Sequence, residues 1–382
     1  MSERRAEVFL RMAAAGCVLL LSSVAYAIDA PKPAAAPTLQ AAPPAAKVEV
    51  TPTDETAFYQ RLQYVTQRRN LIGLKVADDV VKAIAHGSAD TAVSTLSSQA
   101  AAGDRDANIA LVRVQHWCNR VFSTKGADYQ DQLAKLATVL PQEKLARAAG
   151  VFAAEKPYLD AARQSCGKAS FDYQAIEARL RQAAETGDPA SATELSQFAR
   201  DPAKRTELLQ QAADKNFPPA MYALATNRLV AVQRGQTTEN VASIRLLLKQ
   251  AGRALPKAKV DLANCMALGC DGHPADAPTA TAFGVDAARD GEPIAFLSML
   301  RMPWGGRMPR VQIMAWQYYG DRLNEVGCTG DTYVLTAATF SQAVAMLEKG
   351  QPPQMLEEAH AEAEKLWTEN SARAKKEQGC GE

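Results

Sequence analysis

The sequence predicts an all-α chain folded as an α/α superhelical solenoid, and three observations carry that prediction. Apolar residues recur at helical spacing, at Phe58, Leu62 and Val65 and again at Val76, Val80 and Ile84, which lays side chains along one stripe of a helix. Alternation of apolar and polar residues is scarce, and Val, Ile and Thr are not gathered into runs bounded by turns, so strands have little to build on. Most telling, a short pattern returns along the chain. Residues 180–195 read LRQAAETGDPASATEL and residues 209–224 read LQQAADKNFPPAMYAL, so Ala183-Ala184 recurs as Ala212-Ala213 after 29 residues. A third copy, LKQAGRALPKAKVDL at 248–262, sets Ala251 in the place of Ala212, 39 residues on, and a fourth, VDAARDGEPIAFLSML at 285–300, places Ala287-Ala288 another 36 further. A more isolated relative, SQAAAGDRDANIALVRV, occupies 98–114. Recurrence of this kind marks a stacked array, because one short hairpin cannot bury its own apolar face.

The elements follow in chain order. Residues 1–27 carry Arg4, Arg5 and Arg11, then an apolar stretch from Met12 to Val24 ending in Ala25-Tyr26-Ala27, the layout of a secretory signal peptide with a small-x-small cleavage site. Residues 28–53 are a Pro- and Ala-rich linker; proline removes amide donors and alanine offers little area to bury, so an extended tether is expected. Residues 54–168 form an N-terminal helical region with one weak repeat, and residues 169–300 the repeat array. Within the array, paired alanines let two helices approach closely. Gly103, Gly187 and Gly291 suit the turn that ends one helix, and an Asp or Glu with Pro189, Pro218 or Pro293 begins the next. Ala192, Ala220 and Ala295, with Leu195, Leu224 and Leu297 or Leu300, are the expected inner face of each second helix. Residues 301–382 hold a Trp/Arg loop followed by capping helices at about 331–348 and 354–377.

These copies resemble the Sel1-like repeat, a relative of the tetratricopeptide repeat, through the pattern AAxxGxxxAxxxL. The resemblance covers residues 170–300 and, less closely, 85–120. Gly187 and Gly291 match the family's helix-turn glycine, while Asn216 and Ala254 or Leu255 stand in that region of the intervening copies; Tyr222 and Leu224 match the aromatic and leucine of the second helix, and the Gly-x-x-Tyr-x-x-Gly close is largely missing. The resemblance implies protein-protein scaffolding or signalling, at the cell envelope for exported bacterial members. Some cysteine-rich secreted members bind β-lactams or peptidoglycan fragments, but this chain lacks a cysteine pair in each unit.

Composition narrows the function. The chain has 382 residues with 43 basic and 42 acidic side chains, and removal of the leader leaves it formally neutral, so no global field gathers nucleic acid or an anionic membrane. Four histidines, His86, His116, His273 and His360, give little material for imidazole metal sites or acid/base chemistry. No GxSxG elbow, Walker A loop or Rossmann fingerprint occurs. His116 and Cys118 point apart on a helix and make no dyad, and HAEAE around His360 lacks zincin spacing. No cofactor and no metal are expected. With Cys17 in the leader, Cys118, Cys166, Cys265, Cys270, Cys328 and Cys380 remain, an even number suited to an oxidising compartment. Fifteen complete pairings exist; sequential pairs, Cys118 with Cys166, Cys265 with Cys270 and Cys328 with Cys380, are the expected ones.

For partner binding the sequence offers the loop RMPWGGRMPR, where Arg301, Trp304, Arg307 and Arg310 at the end of the array would meet a peptide carboxylate, a glycan or a partner helix. The competing reading folds Trp304 back as the cap of the last apolar layer, since terminal repeats need atypical capping sequence. The expected protein is thus a periplasmic or secreted, non-enzymatic envelope scaffold that binds another protein. It carries no integral membrane segment after signal cleavage. The alternative is a protein that binds or hydrolyses peptidoglycan fragments or a β-lactam-like ligand.

Overall fold

The computed structural model describes residues 64, 71, 73–123, 137, 142–235, 241–269, 274–328 and 343–380. The leader, the Pro/Ala linker and the Phe58, Leu62 and Val65 stripe lie outside them. Among the described residues every regular element is helical, and no helix is long and apolar enough to cross a membrane.

The helices run α1 (Asp78–Ala85), α2 (Ala89–Ala101), α3 (Arg105–Ser123), α4 (Gln142–Lys168), α5 (Tyr173–Glu185), α6 (Pro189–Phe198), α7 (Pro202–Ala213), α8 (Pro218–Gln233), α9 (Val241–Ala251), α10 (Pro256–Leu268), α11 (Ala277–Arg289), α12 (Pro293–Arg301), α13 (Arg310–Glu325) and α14 (Pro353–Gln378), with a 3-10 turn at Gly305–Arg307 between α12 and α13. Each helix packs on the next in sequence through most of the chain, as a stacked array of hairpins requires. The capping helix expected at 331–348 is helical over 343–348, and its earlier part lies outside the described residues.

The hairpins turn by one device. In α5, the amide of Gly187 donates to the carbonyl of Ala184 at 2.9 Å and that of Asp188 to Ala183 at 2.9 Å, which closes the helix through a left-handed residue, Gly187 at φ 95°. Asp188 then accepts from the amide of Ser191 at 2.7 Å and starts α6, with Pro189 in its first turn. The same pair of backbone bonds recurs after α7, where Asn216 at φ 57° fills the glycine's place; asparagine is the residue other than glycine that best tolerates that conformation. The turn after α9 has no left-handed residue: Ala254 and Leu255 stand where the other copies have Gly or Asn, and this copy closes differently.

The interior follows the recurring alanines. Ala212, Ala251, Ala287 and Ala288 are fully buried at the ends of first helices, and Ala220, Ala258 and Ala295 in second helices. In α12 the large buried residues are Phe296 and Met299, not Leu297 or Leu300, which are half-buried. The residue one helical turn after Ala295 is Met299, as Leu224 is after Ala220, so the expected pattern holds with its phase corrected. Two apolar clusters fill the chain and meet at α6 and α7: Leu195 and Leu208 belong to the N-terminal one, Ala192 and Leu209 to the C-terminal one.

Cys118 is bonded to Cys166 and ties α3 to α4; Cys328 is bonded to Cys380 and ties the end of α13 to the end of α14. Cys265 is buried and disulfide-bonded, and Cys270, its expected partner, lies outside the described residues.

Candidate partner-binding surface

The spacing of the helices creates a surface groove. Second helices α3 and α6, α6 and α8, and α10 and α12 touch, whereas among the described residues the first helices α5, α7, α9 and α11 have little contact with one another, as do the second helices α8 and α10. The first helices are therefore splayed, and between α5 and α7 the splay opens a groove of about 630 Å³. Its floor is Ala184, Ala192, Leu195, Leu208 and Ala212. The alanine pair that is buried at 212–213 and 287–288 is only half-buried at Ala183 and Ala184, so Ala184 is the part of the floor most open to solvent.

Charged residues rim the groove, and several are already held. Arg181 pairs with Glu177 at 2.5 Å, Lys204 with Glu207 at 2.9 Å, and Asp214 accepts from Gln210 at 2.7 Å. Lys215 reaches across to the carbonyl of Gly187 at 2.5 Å. With Glu185 and Asp188 the rim is balanced in sign, and it borders an apolar floor.

The loop singled out in sequence is divided by the fold. Arg301, Arg307 and Arg310 are exposed, and Arg310 donates to the carbonyl of Leu347 at 3.4 Å. Trp304 is fully buried. Its indole Nε1 donates to Asn264 Oδ1 at 2.9 Å, its carbonyl accepts from Thr281 Oγ1 at 2.9 Å, and its ring lies against Gly284, where a Cβ would collide with it. The expectation that Trp304 meets a partner is thereby corrected: the ring fills the last apolar layer, and its one polar atom is satisfied inside the protein. Gly305 makes this possible by passing so close to the backbone of Met299 that no side chain fits.

Sequence reasoning missed a second cleft, of about 340 Å³, between α13 and α14. There the His360 ring stacks on Tyr318 with centroids 4.0 Å apart, Tyr318 donates to Glu348 at 3.0 Å, and Arg322 lies over Trp367 at 4.2 Å. His360 is exposed, as expected of a surface histidine. Nothing local links these residues, which long chain separations bring together.

Among the described residues no three His, Cys, Asp or Glu side chains are placed to hold a metal ion. One carboxyl is perturbed upward. Burial raises Asp261, although Tyr222 donates to it at 2.8 Å and Lys257 lies nearby; burial and that carboxylate push the Tyr222 phenol up as well. A carboxyl whose pKa is raised by folding stabilises the fold below its unfolded value and loses that contribution as pH rises through its folded one. Asp261→Asn keeps an acceptor for Tyr222 and removes the buried charge. It is expected to raise the thermal midpoint at pH 7, with the gain shrinking toward pH 4; an equal gain at both values would contradict this assignment.

Comparison with family models and with curated proteins finds no match. Solved structures similar to the chain include that of a Sel1 repeat protein from Oxalobacter formigenes, 18% identical with a TM-score of 0.36, covering 76% of this chain and 93% of that one. Another is a protective antigen present in uropathogenic Escherichia coli strains displaying an SLR fold, 14% identical with a TM-score of 0.31, covering 83% of this chain and 85% of that one.

Proposed function

We propose that the chain is a non-enzymatic scaffold or adaptor of the cell envelope that binds another protein through its repeat surface. The observation that carries this reading is the groove between α5 and α7, where a floor of alanine and leucine is bordered by charges of both signs. Such a groove suits a partner segment that inserts one or two apolar side chains and aligns its own charges along the rim. The leader at 1–27 and the disulfides support an oxidising compartment outside the cytoplasm. The exposed guanidinium groups of Arg301, Arg307 and Arg310 supply a second, electrostatic contact with a carboxylate-bearing partner.

The test is crosslinking and recovery of the mature protein from its native periplasm, beside two surface variants. Gln211→Trp with Lys204→Glu fills and recharges the groove at exposed positions; Arg301→Ala with Arg307→Ala and Arg310→Ala removes the cationic loop. One stoichiometric protein lost in the groove variant and weakened in the arginine variant is the expected result. Recovery unchanged in both variants would sink the assignment.

A further inference from the structure

We propose that α14 is a disulfide-closed latch: reduction of Cys328–Cys380 lets it come off the last hairpin and uncovers the apolar end of the array. The helix lies across α13 and α11, so it covers a layer that a further hairpin would otherwise continue. Under it sit Tyr319 and Leu323, both buried. A side chain at Gly291 would meet Ala374 at 3.0 Å and Gln378 at 3.1 Å, which places the end of α14 directly on the turn between α11 and α12.

The means by which α14 is held are unequal. Its buried apolar side chains are Ala359, Ala363, Leu366 and Ala374, three alanines to one leucine, and alanine gains little from leaving water. Half-buried Trp367 packs edge-on against Tyr319 with centroids 6.2 Å apart, and the exposed His360 ring stacks on Tyr318. The other contacts are polar and reversible. Arg373 donates to Asp290 at 2.6 Å and Asp286 at 2.9 Å, Gln378 to the carbonyl of Asp290 at 2.7 Å, and Arg322 to both oxygens of Glu364 at 2.7 and 2.8 Å. The one covalent tie sits at the far end, where Cys380, past the last turn of α14, joins Cys328, 52 residues earlier. An apolar seam made mostly of alanine and half-exposed rings, exchangeable ion pairs and a terminal disulfide together make a strap whose one covalent closure is Cys328–Cys380.

Opening requires a dithiol reductant. One of its thiolates attacks a sulfur of the pair to form a mixed disulfide, and its second thiol resolves that intermediate; two electrons and two protons pass to Cys328 and Cys380 and the reductant leaves as its own disulfide.

Hydrogen exchange on the full mature chain tests the latch. In Cys328→Ser with Cys380→Ser, the amides of α14 are expected to exchange at least about thirtyfold faster, under a ceiling of about a thousandfold set by closure of a loop this long. Those of α7 to α10 should stay within about twofold of the parent. The unmodified protein treated with dithiol should show the same local change in α14, reversed on reoxidation. Exchange in α14 that is unchanged overturns the proposal. So does acceleration spread evenly over the whole array, which would make the bond a clamp on global stability. Neither result bears on the groove between α5 and α7, whose own variants leave Cys328 and Cys380 intact.

Discussion

Trp304→Ala is expected to lower the unfolding free energy of the protein by about 3–5 kcal/mol, the range for deleting a large buried aromatic. Two losses add. The indole is fully buried against Gly284, so its removal leaves a void that the rigid backbone around Gly305 and Met299 cannot collapse to fill. Asn264, itself buried, also loses the donor on its Oδ1, and an unsatisfied polar atom in that position costs more than the bond was worth. Chemical denaturation measures the sum. The triple replacement of Arg301, Arg307 and Arg310 by alanine should by contrast stay within about 0.5 kcal/mol, as exposed side chains do. A Trp304→Ala loss below about 1 kcal/mol would contradict the placement of this ring in the core.

Asp290→Ala is expected to cost about 2–3 kcal/mol, less than the full penalty for breaking a buried pair because one partner, Arg373, is 43% exposed. Asp290 is 3% exposed and lies at the C-terminal end of α11, where a carboxylate opposes the helix dipole. Lys259 at 2.6 Å and Arg373 at 2.6 Å offset that repulsion, and removing the carboxylate leaves both cations facing only Asp286. Burial alone would raise the Asp286 carboxyl, but hydrogen bonds from Lys259 and Arg373 outweigh it and hold it below the usual carboxylate range. A double-mutant cycle between Asp290→Ala and Arg373→Ala isolates the pair and should give a coupling of at least about 1 kcal/mol; additive losses would show that the two residues act separately.

How far the sequence revealed this molecule depended on the range of the interactions. The hairpin turns were legible because Ala183-Ala184, Gly187, Asp188 and Pro189 write a helix end and a helix start within a few residues. Asn216 obeyed the same rule in a residue that hides it. The phase of α12 was misread because Leu297 and Leu300 are the conspicuous leucines, yet the face that Ala295 opens is continued by Met299. Trp304 carried two readings, an exposed anchor suggested by its Pro, Gly and Arg neighbours and a cap folded back on the apolar layer, and the fold takes the second. Its true partners, Gly284, Asn264 and Thr281, are set by how α10 and α11 stack behind the loop. The groove between α5 and α7 had no sequence signature at all, since it arises from the splay of first helices and the same alanine pair is buried elsewhere. The stack of Tyr318 on His360 was invisible for the same reason.

The central claim is that a protein partner seats in the groove between α5 and α7, and the most direct test is photocrosslinking from a single residue at its rim. With a photoreactive side chain at position 211 of the protein in its native cells, one protein species should be captured. Capture should vanish when Lys204→Glu is added, and the same probe at position 246 on α9, also exposed, should capture none of it. If position 211 captures no protein while cell-wall fragments co-purify with the chain or are cleaved by it, the scaffold account is contradicted.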